Sequence, residues 1–148
     1  FEIITPQANA VDHPELHVPP DELETLFNAI ARLDQERYGI VWEPQPPLVG
    51  NKCLRHRFSC LVTARGDVQP CVGVTIAVGN VREAPLADIL RNSPVIRNLK
   101  HHRETIKGPC RDCDRAAECY GCRGAAYQMT GDYLASDPLC WRNSSTAN

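Results

Sequence analysis

Four cysteines fall within the thirteen residues from Cys110 to Cys122, with the spacing C-x2-C-x5-C-x2-C. Two residues between paired cysteines let a turn point both sulfurs to the same side, where they can hold one small inorganic group. The spacing therefore predicts thiolate ligation of a metal or a metal cluster. The chain has eight cysteines in all: Cys53, Cys60, Cys71, Cys110, Cys113, Cys119, Cys122 and Cys140.

Three kinds of site are compatible with this pattern. Disulfides suit an even number of cysteines, but no other feature of the sequence is typical of a secreted protein. Structural zinc suits two C-x2-C pairs, although the five residues that connect the pairs are few for a zinc site. Iron–sulfur clusters suit eight cysteines because each of two [4Fe–4S] clusters takes four thiolates. We expect clusters, with zinc and disulfides as the alternatives.

The residues beside the loop cysteines also suit iron–sulfur clusters. Gly108, Gly121 and Gly124 allow backbone N–H groups to approach sulfur closely, because glycine has no Cβ. Basic side chains could offset the negative charge of a thiolate-ligated cluster, although each would also suit a solvated loop. These basic residues are Lys107, Arg111, Arg115 and Arg123.

The bulk composition gives no support for several classes of function. The 148 residues carry a formal net charge of −2, and 43% of them are hydrophobic, as in an ordinary globular protein. This charge offers no electrostatic basis for binding nucleic acid or an anionic membrane. No apolar run approaches the roughly 18 residues of a membrane span, and no signal peptide is recognisable. Because the chain starts at Phe1 rather than methionine, we expect it to be a piece of a longer protein.

The first third of the chain predicts a strand, a helix and a second strand. We expect a short buried strand over residues 1–5 and an amphipathic helix that starts at Asp21. Asp21 and Glu24 form a D-x-x-E capping pattern, and Gly39 is a plausible C-terminal stop. The helix repeats apolar residues at Leu23, Leu26, Phe27, Ile30 and Leu33. A second strand is expected over residues 40–43, and the prolines of residues 44–47 mark a boundary.

The remaining two thirds predict a hairpin, short helices and a cysteine-rich loop. Residues 58–63 and 68–74 read as paired strands with Gly66 at the turn, and Pro70 should lie on an edge or at a bulge. Two short helices are expected over residues 85–92 and 93–103, each with a proline near its start. Residues 123–131 read as a helical turn that ends at a glycine.

The cysteine pattern resembles that of the SPASM domain, the C-terminal extension of many radical SAM enzymes. That domain has the signature C-x(9–15)-G-x4-C, then C-x2-C-x5-C-x3-C, then a last cysteine. Here Cys53 is followed after twelve residues by Gly66, and "GDVQPC" completes G-x4-C at Cys71. The segment "CRDCDRAAEC" supplies the next three cysteines and Cys140 supplies the last. The chain departs from the signature in having two residues, not three, before Cys122.

The resemblance covers about residues 48–142 and implies two auxiliary [4Fe–4S] clusters with interleaved ligands. Cys60 takes the place of the extra ligand that completes the first cluster in fully ligated members of the family. The implied ligands of the first cluster are Cys53, Cys60, Cys71 and Cys122, and those of the second are Cys110, Cys113, Cys119 and Cys140. Interleaving would tie the hairpin to the loop and the tail through two inorganic crosslinks.

The fold implied by the resemblance is α+β. Residues 1–43 would be the last strand–helix–strand unit of a partial (β/α) barrel. Residues 48–142 would be a small, irregular hairpin-and-helix domain built around the two clusters, and residues 143–148 a frayed tail. The chain has no C-x3-C-x2-C motif, by which radical SAM enzymes bind the cluster that cleaves S-adenosylmethionine. S-adenosylmethionine and a third [4Fe–4S] cluster would belong only to a longer enzyme.

The function implied is electron transfer and substrate positioning in a cytoplasmic, maturase-like enzyme that modifies peptides or proteins. Expected partners are a peptide or protein substrate and an electron donor or acceptor such as ferredoxin or flavodoxin, with no nucleic acid or membrane. The alternatives are a stand-alone, ferredoxin-like two-cluster electron carrier and a zinc-stabilised interaction module. No catalytic residue is assigned, because Val72 stands where sulfatase-maturating members of the family carry an aspartate.

Other residues near the cysteines have simpler expected roles. His101 and His102 face different ways on a helix, so we expect them at the surface or partly buried rather than as metal ligands. Tyr120 and Trp141 each adjoin a cysteine and are expected to pack against and shield a cluster. Asp137 is expected to be a turn residue.

Overall fold

The computed structural model describes residues 10, 12–46, 53 and 55–144. The strand expected over residues 1–5 lies outside these described residues. Within them the chain forms short helices around one small antiparallel sheet. The helices are α1 (Pro20–Tyr38), α2 (Arg55–Phe58), α3 (Leu86–Asn92), α4 (Pro94–Lys100), α5 (His102–Thr105), α6 (Arg123–Thr130) and α7 (Trp141–Ser144), and the strands are β1 (Leu61–Val62), β2 (Asp67–Gln69) and β3 (Gly79–Asn80).

Helix α1 confirms the predicted amphipathic helix, but not its predicted cap. Pro19 is the N-cap and makes no side-chain cap bond, and Pro20 occupies the first turn, where its missing N–H costs nothing. Asp21 therefore lies inside the first turn, where a carboxylate suits the positive end of the helix dipole. The helix ends as predicted at Gly39, which adopts φ 66°.

One face of α1 packs against the end of the chain. Leu23 and Phe27 are buried together with Trp141 of α7, and Trp42 packs edge-on against Phe27 with ring centroids 6.4 Å apart. Trp42 is fixed by a hydrogen bond from its Nε1 to Asp34 Oδ2 of 2.9 Å. Residues 40–43 form no strand, because after Gly39 the chain folds back along α1 to pack Trp42 rather than pairing with another backbone segment in the described part of the chain.

The predicted hairpin is present and is extended by a third strand, but its strands are shorter than predicted. Phe58 belongs to α2, and residues 70–74 form no strand, because Pro70 has no N–H to donate to a ladder. The strand order is β1-β2-β3, antiparallel throughout, with Val62 opposite Val68 and Val68 opposite Gly79. Gly66 forms the turn at φ 90°, and a Cβ there would approach Asn80 Oδ1 to 2.6 Å. Pro70 is not on an edge strand. It directly follows the central strand β2, so its lack of an N–H removes no hydrogen bond between the strands.

The two helices predicted after the sheet are α3 and α4, and a break at His101 separates α5 from α4. Ser93 caps α4 by accepting a hydrogen bond from Ile96 N at 3.2 Å, a geometry that the adjacent proline at N1 favours. Helix α6 ends at Gly131 as predicted, with φ 76°. Residues 143 and 144, expected in a frayed tail, belong to α7, whose Trp141 is held against α1. Among the described helices, none combines the length and the hydropathy that a membrane span requires.

Candidate iron–sulfur site

Four cysteines of the loop and the tail line one small cavity. They are Cys110, Cys113, Cys119 and Cys140, the set that the family resemblance implies for the second cluster. Gly121, Arg115 and Arg142 contribute to the same wall. The cavity forms because a 3-10 turn places Cys110, the following turn carries Cys113 and Cys119, and the chain returns through Asp137 to bring Cys140 alongside.

Hydrogen-bond donors point at the sulfurs of this cavity. Gly121 N donates to Cys119 Sγ at 3.3 Å, and Asp137 N donates to Cys110 Sγ at 3.4 Å. Asn143 Nδ2 also donates to Cys110 Sγ at 3.3 Å. N–H groups aimed at sulfur are the contacts that stabilise a ligating thiolate and tune a cluster's potential.

Because these thiols are buried, they would need a bound cation in order to ionise. Burial raises the pKa of Cys140 to about 11, and it also raises the pKa of Cys119, with like-charge repulsion from Cys110 adding to both. Thiols in this environment stay protonated at neutral pH unless a cation compensates the charge. The positive core of a metal or a cluster supplies that compensation, so the group would bind with release of protons.

Three of the remaining cysteines act on the ionisation of Tyr120, which is only 6% exposed. Burial raises the pKa of Tyr120 strongly, and the neighbouring side chains of Cys53, Cys71 and Cys122 raise it further. Cys122 thus groups with Cys53 and Cys71, although only two residues separate it from Cys119. Cys60 is half-buried and directly precedes β1.

Helix α6 directs Cys122 away from the loop cavity. Cys122 is the N-cap of α6, and its Sγ accepts a hydrogen bond from Ala125 N at 3.4 Å. The N-terminal end of a helix favours negative charge, which suits a thiolate at this position. Gly121, at φ 67°, provides the change of direction between Cys119 and Cys122.

Two glycines let the hairpin approach α6. A Cβ on Gly73, which follows Cys71, would lie 2.5 Å from Gly124 Cα, and a Cβ on Gly124 would lie 2.9 Å from Gly73 Cα. Gln128 of α6 strengthens the contact by donating from Nε2 to Gly73 O at 2.8 Å. This backbone contact holds Cys71 near Cys122.

Asp137 connects the two groups of cysteines. It is fully buried and accepts hydrogen bonds from Cys122 N at 2.6 Å and Leu139 N at 2.9 Å, while its own N–H donates to Cys110 Sγ. Burial raises the pKa of Asp137, and the two N–H donors and the charge of Arg123 oppose that rise. Asp137, which the sequence predicted only as a turn residue, therefore also joins the two groups of cysteines through hydrogen bonds.

The donor set fits iron–sulfur clusters. All eight cysteines lie in the described residues, and none of them is in a disulfide. Within the described part of the chain, no three Cys, His, Asp or Glu side chains form a group that could hold a single metal ion. A [4Fe–4S] cluster binds each of its four thiolates through a different iron atom, so it needs sulfurs arranged around a volume rather than converging on one point.

The basic residues near the cysteines have distinct positions. Arg115 lines the loop cavity, whereas Lys107 pairs with Asp132 at 2.6 Å and Arg111 is exposed. Arg123 is 4% exposed, and its guanidinium carbon lies 6.0 Å from the centroid of the Tyr120 ring.

Sequence reasoning missed a buried aromatic group beside the Tyr120 cysteines. His102 was expected at the surface or partly buried, but it is only 5% exposed, because α5 packs its ring against Tyr120. His56, on α2, is also buried and contacts the same tyrosine. Its only sequence signal is its place between Cys53 and Cys60. His101 is exposed, as expected, and so is Val72.

Comparisons with known proteins agree with the cysteine chemistry. The chain is 41% identical over 88 residues to the AdoMet-dependent heme synthase of Methanosarcina barkeri, which covers 60% of this chain and 25% of that protein. It is 39% identical over 88 residues to the AdoMet-dependent heme synthase of Nitratidesulfovibrio vulgaris, with 60% and 24% covered. It is 41% identical over 86 residues to the PqqA peptide cyclase of Streptomyces rochei, with 53% and 23% covered.

The chain spans about a quarter of the length of these curated relatives. Residues 53–114 match the SPASM family, described as an iron–sulfur cluster-binding domain. The match begins at Cys53 and includes Cys60, Cys71, Cys110 and Cys113. The resemblance drawn from the cysteine spacing is therefore confirmed over this part of the chain.

Proposed function

We propose that this chain is the auxiliary domain of a radical SAM enzyme and that it holds two [4Fe–4S] clusters. The observation that carries the proposal is the grouping of the sulfurs. Four cysteines share the loop cavity, whereas Cys122 groups with Cys53 and Cys71 beside Tyr120. Cys60 would complete the first set. The first cluster would be held by Cys53, Cys60, Cys71 and Cys122, and the second by Cys110, Cys113, Cys119 and Cys140.

When bound, such clusters supply one-electron transfer. Because the eight thiolates satisfy two clusters completely, no iron position is left open for substrate, and we propose electron transfer as the main role. The residues of this chain would hold and insulate the clusters. Gly121 and Asp137 would donate N–H groups to sulfur in the second site, and buried Tyr120 would exclude water from the first.

We assign cleavage of S-adenosylmethionine to sequence outside this chain, together with S-adenosylmethionine itself and a third cluster. Residues 1–43 would belong to the end of a partial barrel. In support of this, Leu26 and Leu33 of α1 are 49% and 47% exposed, so that helix carries an apolar face that the described residues leave uncovered. An electron donor or acceptor such as ferredoxin or flavodoxin would exchange electrons with the clusters. We propose that this takes place in the cytoplasm.

For the substrate we propose a peptide or protein, in line with the PqqA peptide cyclases. A second candidate is heme synthesis, because the matches to the AdoMet-dependent heme synthases span 60% of this chain and those to the cyclases 53%. Incubation of the full-length enzyme with S-adenosylmethionine and a reductant, followed by mass spectrometry, distinguishes the two. A mass change in a peptide supports the first candidate, and formation of heme supports the second.

The cluster assignment is tested by anaerobic production followed by iron and sulfide analysis and EPR spectroscopy. We expect Cys71→Ala and Cys113→Ala each to remove one cluster and to leave the other. Two zinc ions without sulfide would instead indicate a zinc-stabilised interaction module. Two clusters in a full-length protein that lacks the C-x3-C-x2-C motif would indicate a ferredoxin-like carrier.

A further inference from the structure

The side chain of Asn143 reaches the four-cysteine loop cavity from helix α7. Asn143 lies three residues after Cys140, and its backbone N–H donates to Cys140 O at 2.9 Å. Its side chain lines the cavity, with Nδ2 3.3 Å from Cys110 Sγ and 2.8 Å from Asp137 O. A residue that the sequence placed in a frayed tail therefore contacts a cysteine of the second group directly.

The two neighbours of the Asn143 amide fix which of its ends faces the sulfur. The carbonyl oxygen of Asp137 can only accept a hydrogen bond, so the amide nitrogen must face it. The same –NH2 group carries a second hydrogen, and Cys110 Sγ is the acceptor for it. A ligating thiolate also can only accept. The reversed amide would place its oxygen against two acceptors, so Asn143 is a donor to Cys110.

The donor of Asn143 belongs to a closed ring of hydrogen bonds around Cys110. Asp137 N donates to Cys110 Sγ at 3.4 Å, while Asp137 O accepts from the Asn143 amide that donates to the same sulfur. The backbone of Cys110 is fixed in turn, because its N–H donates to Ser136 Oγ at 2.9 Å. The Asp137 donor is backbone and remains in any side-chain variant, so substitution of Asn143 removes one donor and leaves the other.

Packing against α1 holds the donor in this position. Trp141, two residues before Asn143, is buried together with Leu23 and Phe27 of α1. Helix α1 has 19 residues, whereas α7 has only four, and a helix of one turn is not stable by itself. The place of Asn143 beside Cys110 therefore depends on the contact between α7 and α1.

We propose that Asn143 is a positioning residue whose Nδ2 donates to Cys110 Sγ, that it raises the reduction potential of the second cluster, and that the packing of α7 on α1 holds it there. This inference rests on the proposed function, because it requires a cluster on Cys110. Reduction adds one electron, and with it one negative charge, to the cluster and its thiolates. A donor aimed at a ligating sulfur stabilises the more negative state, so Asn143 favours reduction.

The test is a redox titration of the cluster-loaded protein, followed by EPR, for wild type, Asn143→Leu and a matched control. Asn143→Leu keeps the approximate size of the side chain and removes the donor. We expect the second cluster to become harder to reduce, with about a tenfold fall in its one-electron reduction equilibrium constant, or about 59 mV. The first cluster should not change. The control is Asn98→Leu on α4, which removes an amide that donates to Tyr133 Oη at 2.9 Å instead of to a sulfur, and both potentials should stay at their wild-type values.

A variant on α1 tests the packing and covers the case in which Asn143→Leu fails to load. Phe27→Leu weakens the packing of α1 against Trp141 and leaves the residues of the cavity unchanged. We expect it to shift the second cluster in the same direction as Asn143→Leu, by less, and to add no shift to a protein that already carries Asn143→Leu. An unchanged second-cluster potential in Asn143→Leu, or in Phe27→Leu if Asn143→Leu does not load, would overturn this inference and leave the proposed function intact. Absence of clusters from wild type would overturn both.

Discussion

At the scale of single residues, the assignment of the sulfurs depends on the divergence of Cys119 and Cys122. Gly121 permits this divergence at φ 67°, and a Cβ there would lie 2.7 Å from Asp137 Cβ. The N–H of Cys122 is held by Asp137, and its sulfur caps α6. On the proposed assignment, a C-x2-C pair that otherwise suits one site is thereby split between two.

The split can be tested by comparing cysteine variants. We expect Cys122→Ala to lose the same EPR signal as Cys71→Ala, because both cysteines would ligate the first cluster. Cys119→Ala should match Cys113→Ala, because both line the loop cavity. If the spectrum of Cys122→Ala instead matched that of Cys113→Ala, the pair would share one cluster and the interleaved assignment would be wrong.

The pH dependence of stability follows from the buried His56. Burial lowers its pKa from 6.5 to about 4, and the charges of His102, Arg57 and Lys100 add to this effect. The unfolded chain therefore binds a proton that the folded chain excludes. The stabilising contribution is fully present above pH 6.5 and is lost as the pH falls toward about 4, up to about 3 kcal/mol. In denaturant unfolding of the cluster-loaded protein, His56→Asn should lose less stability than wild type between these pH values. Parallel curves would contradict this account.

At the scale of elements, the contact of the hairpin with α6 positions the first group of cysteines. The contact is made by backbone at Gly73 and Gly124, with no side chain between them. Val68 and Val74 of the hairpin segment and Ala125 and Ala126 of α6 are also fully buried, whereas β1 and Val72 are exposed. A change in the distance between β2 and α6 should therefore act directly on the first cluster.

Gly73→Ala tests this contact. The new Cβ would lie 2.5 Å from Gly124 Cα, and backbone cannot move aside as a flexible side chain can, so we expect a loss of about 1–3 kcal/mol and poorer loading of the first cluster. The control is Gly131→Ala at the end of α6, where a Cβ meets nothing within 4 Å and only the strain of φ 76° applies, about 1–2 kcal/mol. Iron content and thermal unfolding measure both effects. Normal loading of Gly73→Ala would show that the close approach is dispensable.

The elements that the sequence predicted correctly are those with local signals. Helices α1 and α6 end at glycines with positive φ, α4 begins at a proline, and the hairpin turns at Gly66. Strand β3 is only Gly79–Asn80 and owes its pairing to β2, so no local pattern marks it. Residues 40–43 have strand-like composition, but Trp42 is packed against Phe27 instead.

In the candidate site, too, features with a local sequence signal could be predicted and features that depend on distant contacts could not. Cysteine spacing was enough to find the SPASM family, and the grouping of sulfurs in space supports the assignment made from it. The roles of His56, His102 and Asp137 could not be predicted, because each depends on contacts between distant segments. The bond from Cys122 N to Asp137, for example, spans 15 residues.

At the scale of the whole molecule, every described helix and strand except α1 is short, and the buried apolar side chains are spread over several parts of the chain. The sheet has three strands of two or three residues, and one buried apolar cluster comprises Leu23, Phe27 and Trp141. Cluster ligation would join segments from Cys53 to Cys140, most of the length of the chain. In a fold of this kind, the free energy of ligation is part of the free energy of folding.

Removal of the clusters should therefore unfold the domain. Treatment with an iron chelator and an oxidant should abolish the cooperative thermal transition and expose the tryptophans, because α7 with Trp141 directly follows Cys140. Circular dichroism and tryptophan fluorescence measure the change. Reconstitution with iron and sulfide should restore the transition. An unchanged transition after complete removal of iron would show that the fold does not depend on the clusters.

The most direct test of the central claim is the Mössbauer spectrum of the ⁵⁷Fe-loaded protein, with iron and acid-labile sulfide measured on the same sample. Two [4Fe–4S] clusters predict about eight iron and eight sulfide per chain, with all iron in cluster environments. Four iron per chain, or zinc without sulfide, would contradict the claim.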